Sequence, residues 1–251
     1  MISIKFKKNW RYFNKDQIIE LDNSKSIIFV GDNGCGKSSL MLLIYINSLR
    51  NQLKKENKVY SYFDLSINDR LILGTTNITI FDTFDDICEI NDSLNNDYTY
   101  FNLDCFNLNK IDDTMDLSAS QIATHLGLSE LSHGESCLNQ IFNFIDENNG
   151  KNKSYIFDEP DANISIKHAI VFGKYFNENS RLIVSLHHPY TINQYKNVYW
   201  IQSVIENEKR IGTKIVTLSG KDYVNTMIEY GCKIAYEQLG ISINREEIDG
   251  K

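Results

Sequence analysis

The run Ile27-Ile28-Phe29-Val30 is followed at once by Gly31-Asp32-Asn33-Gly34-Cys35-Gly36-Lys37-Ser38-Ser39, then by the apolar Leu40-Met41-Leu42-Leu43-Ile44. No other stretch limits the fold as strongly. A β-branched and aromatic run that stops at a glycine-rich turn and reopens as an apolar segment predicts strand, phosphate loop and helix. The spacing from Gly31 through Gly36, Lys37 and Ser38 fits G-x-x-x-x-G-K-[S/T] without a gap. Glycines let the backbone curl so that N–H groups point inward, and the helix that follows aims its positive end at a phosphate. In such a loop Lys37 reaches the β- and γ-phosphates and the Ser38 hydroxyl ligates Mg2+.

With 251 residues, 42% of them hydrophobic, the chain has enough apolar side chain for a buried α/β core. It contains no apolar run of about eighteen residues, so no membrane insertion is expected. Met1-Ile2-Ser3-Ile4-Lys5 alternates like a strand where a signal peptide would carry an apolar block. A cytoplasmic protein is therefore expected. The five cysteines, Cys35, Cys88, Cys105, Cys137 and Cys232, are scattered without a C-x-x-C pair, which predicts reduced thiols and no zinc site. A net charge of −7 and a pI near 5.3 give no global support to nucleic acid as a partner, which leaves only a local basic face for that role.

Along the chain, Ile2, Ile4 and Phe6 alternate on one face, Ile18–Leu21 follow a turn, and Ile27–Val30 come next; together they predict an antiparallel sheet leading into the loop. Trp10, Tyr12 and Phe13 lie just upstream, placed for sheet packing or for stacking on an adenine base. Residues 37 to about 57 read as a helix, with Lys54 and Lys55 suited to its C-terminal end. Val59–Leu65 and Leu71–Phe81 read as strands. From Asp82 to Asp116 ten aspartates and glutamates face a single Lys110, the pattern of a solvated surface, with a metal or protein-docking face as the minority reading.

The second half carries further chemistry. Leu131-Ser132-His133-Gly134-Glu135 opens a helical pattern, which read alone is a capped helix with an anion-facing start. Tyr155-Ile156-Phe157 runs into Asp158-Glu159-Pro160. Two adjacent carboxylates at the end of an apolar strand need a partner, and Mg2+ supplies one: Asp158 would hold the metal while Glu159 activates the attacking water. Pro160 is expected to keep Glu159 extended. Arg181–Leu186 is another buried strand ending in His187-His188-Pro189, at the edge where open α/β sheets bind ligands. Val198–Ile201 with Lys214–Leu218 predicts a hairpin. Tyr223–Leu239 reads as a helix with Val224, Met227, Ile228, Ala235 and Leu239 facing inward.

Four elements thus appear in one order: G-D-N-G-C-G-K-S-S at 31–39, L-S-H-G-E at 131–135, Y-I-F-D-E-P at 155–160 and S-L-H-H-P at 185–189. Together they resemble the ATP-binding-cassette (ABC) class of P-loop ATPases, with Walker A, signature, Walker B and switch-histidine motifs over roughly residues 2–218. The G-x-N-G-x-G-K-S-S and S-x-G-E forms are more similar to soluble RecF, SMC and overcoming-lysogenization-defect type AAA-family ATPases than to transporter subunits. The resemblance implies one ABC-type ATPase domain over 1–251. Its mixed central sheet would have an N-terminal antiparallel β part and a helical signature subdomain, with the nucleotide-binding core at about 1–58 and 145–240 and an inserted lobe at about 59–144.

It also implies ATP and Mg2+ as ligands and an ATP-dependent head-to-tail homodimer. Gly31, Asn33, Gly34, Cys35, Gly36, Lys37, Ser38 and Ser39 of one subunit would hold a nucleotide capped by Ser132, Gly134 and Glu135 of the other. Ser38 and Asp158 would hold the metal, Glu159 would be the general base, His187 the γ-phosphate sensor, and Ala162–Ser165 the loop between sites. His187 is preferred over His188 because the family commonly shows His-Ser-Pro here. The glutamine usual between phosphate loop and signature is missing, since no Gln occurs between Gln52 and Gln121; a polar residue near Asn77–Asp82 is one substitute. His133 replaces a small signature residue. The stretch from Lys37 to Ser132 is too short for long coiled-coil arms, which argues against chromosome tethering. The leading expectation is Mg2+-dependent ATP hydrolysis driving a dimerisation switch in a soluble complex with a further protein partner, in DNA repair, phage biology or defence. An ABC-transporter ATPase subunit and a non-hydrolysing ATP-binding scaffold are the alternatives.

Overall fold

A computed structural model describes residues 1–56, 58, 65, 73, 78–94, 96–102, 154–161, 165–167, 169–170, 173–174 and 182–239. Among the described residues two sheets are present. The smaller, in the order β2-β1-β4, is antiparallel and built from β1 (Ile2–Phe6), β2 (Ile18–Leu21) and β4 (Cys88–Asp92). The larger, in the order β5-β6-β7-β3-β8-β9, joins β5 (Tyr98–Asn102), β6 (Ser154–Asp158), β7 (Leu182–Ser185), β3 (Ile27–Val30), β8 (Val198–Glu206) and β9 (Lys209–Leu218). All its neighbouring pairs are parallel except the β8–β9 hairpin. The fold is mixed α/β, as the sequence predicts.

All four residues of β3 are buried, because the strand lies between β7 and β8 with apolar layers on both faces. Ile27 and Phe29 enter a core with Ile2, Ile4 and Phe6 of β1 and with Leu40, Leu43 and Ile44 of the long helix α1 (Lys37–Lys55). Ile28 and Val30 point the other way. There they meet Phe157, Val184, Ile192 from the short helix α4 (Pro189–Ile192) and Tyr223 from α5 (Gly220–Leu239). The period-2 alternation of a four-residue strand thus joins two cores. Lys54 and Lys55 end α1, where cations complement the helix dipole.

Four expectations are corrected. β3 does not extend the antiparallel sheet; its partners β7 and β8 are parallel to it. The end of the segment 71–81 is helical, in α2 (Ile78–Asp82), followed by α3 (Phe84–Ile87). Phe81, Phe84 and Ile87 fall three residues apart and all reach the core, a helical period that outweighs the β propensity of the preceding threonines and isoleucines. The acidic stretch is not all surface, since it contains β4 and β5. Cys88 and Ile90 face inward while Glu89 turns outward opposite Lys5, and Asp92, half-buried on the inward side, accepts from the Asn23 amide at 2.7 Å. Finally, Ile228 of α5 is 59% exposed, although Tyr223 on the same helix is buried. The strand predicted at 59–65 lies outside the described residues except for Leu65, which sits in a bend, and the helix predicted after residue 135 and the side chains of Ala235 and Leu239 lie outside them too. Among the described residues no helix is long and apolar enough to cross a membrane, and Cys35, Cys88 and Cys232 are unpaired thiols.

Candidate functional site

Because β5, β6, β7 and β3 run parallel, their carboxyl ends open on one edge, where ligands of such sheets bind. The phosphate loop leaves β3 there. Gly31 and Gly36 adopt φ of +137° and +118°, and neither tolerates a side chain. A Cβ on Gly31 would stand 2.3 Å from the Ile201 carbonyl oxygen, and one on Gly36 2.9 Å from the Phe13 ring. Lys37 is buried and donates to the Gly31 and Asp32 carbonyls at 2.8 and 3.2 Å, which closes the loop on its own ammonium. Ser38 is exposed.

A cavity of about 470 Å³ is lined by Gly34, Gly36, Lys37, Ser38 and Ser39 together with Arg11, Tyr12 and Glu159. Of the loop residues named from the sequence, Gly31, Asn33 and Cys35 do not line it. Cys35 is buried against Gly31, and burial pushes its thiol up, away from thiolate chemistry. The upstream aromatic residues have divided roles. Phe13 is 1% exposed, stacked on Phe6 at 4.8 Å and pressed on Gly36; Trp10 stacks on the same pair. Only Tyr12, 44% exposed, remains open to a base. Arg11, at φ +51°, donates to Ser39 Oγ at 2.6 Å and lies 4.8 Å over the Trp10 ring.

The opposite wall is built by strand ends. Asp158 is buried and accepts from Tyr100 Oη at 2.9 Å and from Ser185 Oγ at 2.7 Å. The Ser185 hydroxyl in turn accepts the Glu159 N–H at 2.7 Å. Glu159 is not extended as predicted: its φ is +52°, in the left-handed region. That conformation costs a non-glycine residue about 1–3 kcal/mol and persists only where neighbours fix it. Here Ser185 holds its amide, and its Oε1 lies 2.9 Å from His187 Nε2. Asp161, 1% exposed, accepts the N–H groups of His187 (3.1 Å) and His188 (2.8 Å). Burial raises its carboxyl, and those amide bonds oppose the rise. His188 is occupied differently, with its Nδ1 accepting the Tyr190 N–H at the start of α4.

The structure thus brings Lys37, Ser38, Ser39 and Glu159 onto one cavity, with His187 on Glu159 and Asp158 behind it. Ser132, Gly134 and Glu135 lie outside the described residues, as do Ala162, Asn163 and Ile164 of the loop expected between sites. Asn77 is likewise outside, and Asp82 is an exposed residue at the end of α2, whereas the strand beside β6 ends at Asn102, in register with Asp158. Sequence reasoning missed Arg11, Tyr100, Asp161 and Ser185. Of these only Ser185 carried a signal, as the first residue of the S-L-H-H-P motif. For Mg2+, the donor set of the Ser38 hydroxyl with the Asp158 carboxylate is all oxygen, as a hard cation requires, and Asp158 keeps lone pairs beyond those used by Tyr100 and Ser185. The residues fit the ion.

No known protein family matches the sequence, and no curated protein does. Solved structures do. The SMC head bound to the C-winged helix domain of ScpA aligns at a TM-score of 0.51 over 89% of this chain and 98% of that one, with 14% identity. A nucleotide-free ATP-binding cassette from an ABC transporter aligns at a TM-score of 0.41 over 91% and 94%, with 16% identity. At such identities the first likeness is one of fold: the chain has a mixed α/β fold like that of the SMC head.

Proposed function

We propose that the protein binds ATP with Mg2+ at the phosphate-loop cavity and hydrolyses it, the nucleotide acting as a switch for pairing with a second copy of the chain. The observation that carries this reading is the shared cavity: the phosphate loop with Lys37 and Ser38 lines one wall and Glu159, held by Ser185 and paired with His187, lines the other.

The loop N–H groups and Lys37 orient and neutralise the phosphates, exchanging the carbonyl contacts of Lys37 for phosphate oxygens. When bound between Ser38 and Asp158, Mg2+ supplies further neutralisation of charge on the phosphates. Glu159 accepts the proton of the attacking water, and His187 on its Oε1 fixes the carboxylate and senses the γ-phosphate. The open Tyr12 face takes the base. Ser132, Gly134 and Glu135 of the second copy complete the site over the exposed Ser38. The whole chain acts as one ATPase unit, although its inserted segment contributes β4 and β5 to the two sheets. A protein partner, such as the winged-helix domain seated on the SMC head of similar fold, reads the switch, in the setting of repair, phage biology or defence.

Glu159→Gln is the direct test. Hydrolysis should fall by about 10²–10⁴-fold while ATP is retained, because the base is lost and the phosphate loop is not. The trapped ATP form should sediment as a dimer, and Ser132→Arg should return it to monomer. Undiminished phosphate release by Glu159→Gln would overturn the assignment, and a wild-type protein that binds but never turns over ATP would favour the scaffold reading.

A further inference from the structure

We propose that Arg210 is a positioning residue for the phosphate loop: it fixes from outside the peptide planes behind the cavity and supports the Tyr12 ring on the same wall. The inference rests on the nucleotide-binding reading above and adds a residue that none of the four motifs contains.

Arg210 lies on β9 just after the hairpin turn at Asn207 and Glu208, both left-handed at φ +49° and +62°, the pairing that a two-residue hairpin favours. The β8–β9 register then slips. Val204 pairs with Gly212 and Ile205 with Arg210, so Ile211 is the extra residue of a bulge. Bulges re-aim side chains, and this one accompanies a side chain that reaches back 176 positions in sequence. Arg210 Nη1 donates to the Gly34 carbonyl, while Nη2 donates to the Cys35 carbonyl at 2.6 Å and to Thr213 Oγ1 at 2.9 Å. Nε donates to the Gly212 carbonyl at 3.4 Å. The flat of the guanidinium lies 3.4 Å from the centre of the Tyr12 ring. Most of its N–H donors and one face are therefore committed.

In a trans peptide the C=O and N–H of one unit point in opposite directions. Drawing the Cys35 carbonyl outward turns the Gly36 N–H toward the cavity at the head of α1. Drawing the Gly34 carbonyl outward leaves the Cys35 N–H on the Asp32 carbonyl, which closes the turn at 3.2 Å. The loop contains three glycines of positive φ, Gly31, Gly34 and Gly36, and glycine has the most backbone freedom to lose. A brace that removes this freedom before the ligand arrives raises affinity by pre-organisation. Lysine cannot substitute, because an ammonium lacks the planar fork that spans two carbonyls and a hydroxyl.

The test compares Mg2+-supported binding of ATP and of tripolyphosphate, which has no base, by calorimetry on the full chain. Arg210→Met and Arg210→Lys should each weaken both ligands by about tenfold to a hundredfold, the loss of one or two charge-assisted bonds. Tyr12→Ala should weaken ATP and spare tripolyphosphate. If Arg210→Met does not melt cooperatively, Arg210→Lys and Thr213→Val decide, the latter expected to cost both ligands about threefold through a loosened fork. Arg210→Lys binding both ligands like wild type would overturn the inference in favour of charge alone. Loss of ATP without loss of tripolyphosphate in Arg210→Met would overturn it in favour of a base contact alone. A wild-type protein that binds neither ligand would overturn the nucleotide-binding reading itself.

Discussion

The two walls of the cavity are held by different means. The phosphate loop is shaped by its own backbone, with three left-handed glycines, an ammonium folded onto loop carbonyls and Phe13 filling the place of a missing Cβ. The carboxylate wall is shaped by side chains borrowed from neighbouring strands. Tyr100 and Ser185 hold Asp158, Ser185 holds the Glu159 amide, and Asp161 holds two amides of the His187 turn. A backbone-shaped wall binds whatever fits its curvature and charge. A side-chain-shaped wall can be detuned one atom at a time, as suits a part that must act on one proton.

The sharpest way to break the comparison is Gly36→Ala. The added Cβ meets Phe13 at 2.9 Å in a backbone conformation that alanine resists, so nucleotide binding should fall by roughly a hundredfold or more, together with a loss of about 1–3 kcal/mol in denaturant unfolding. On the other wall binding should survive and turnover should not. Asp161→Asn replaces one acceptor oxygen with an N–H donor facing backbone amides, and kcat should drop by about tenfold to a hundredfold at near-normal ATP affinity.

The same variant has a stability signature. Burial raises the Asp161 carboxyl above its unfolded value, so between the two the folded state binds the extra proton and wild-type stability falls as pH rises through that window. Asp161→Asn should lack this slope, which paired urea melts from acidic to neutral pH would show. Ser185→Ala leaves the Glu159 amide and one Asp158 oxygen unpaired, and should cost about 1–3 kcal/mol in stability and about tenfold in kcat. Tyr100→Phe removes a single donor and should be mildest, about 0.5–1.5 kcal/mol by thermal melting. Equal effects of Gly36→Ala and Asp161→Asn on affinity would erase the distinction between the walls.

The same division governs what the sequence disclosed. The phosphate loop, α1, the apolar strands before Glu159 and His187, and the β8–β9 hairpin were legible because their signals are local, a fixed spacing or a run of one period. The supporting side chains were not. Tyr100 meets Asp158 only because β5 pairs with β6 in a particular register, and Arg210 meets the phosphate loop only through the position of β9 in the sheet. Neither pairing has a trace in the neighbouring residues. β4 was hidden for another reason: Glu89 and Asp92 gave the stretch the composition of a surface, while its buried residues were only Cys88 and Ile90. Glu159 shows that a local rule also fails where distant partners overrule it, since the turn between Ser185 and His187 imposes a conformation that Pro160 alone does not select.

The central place of β3 has a consequence for how the protein is made. Its loop motif lies well before β7 and β8 in the chain, yet β3 is flanked by both, and Gly31 rests against the Ile201 carbonyl. A nascent chain that stops short of β7 exposes a complete phosphate-loop signature with no seat for it. The loop is therefore expected to take its shape only once the β8–β9 hairpin has joined the sheet, so its motif is written before the strands that seat it.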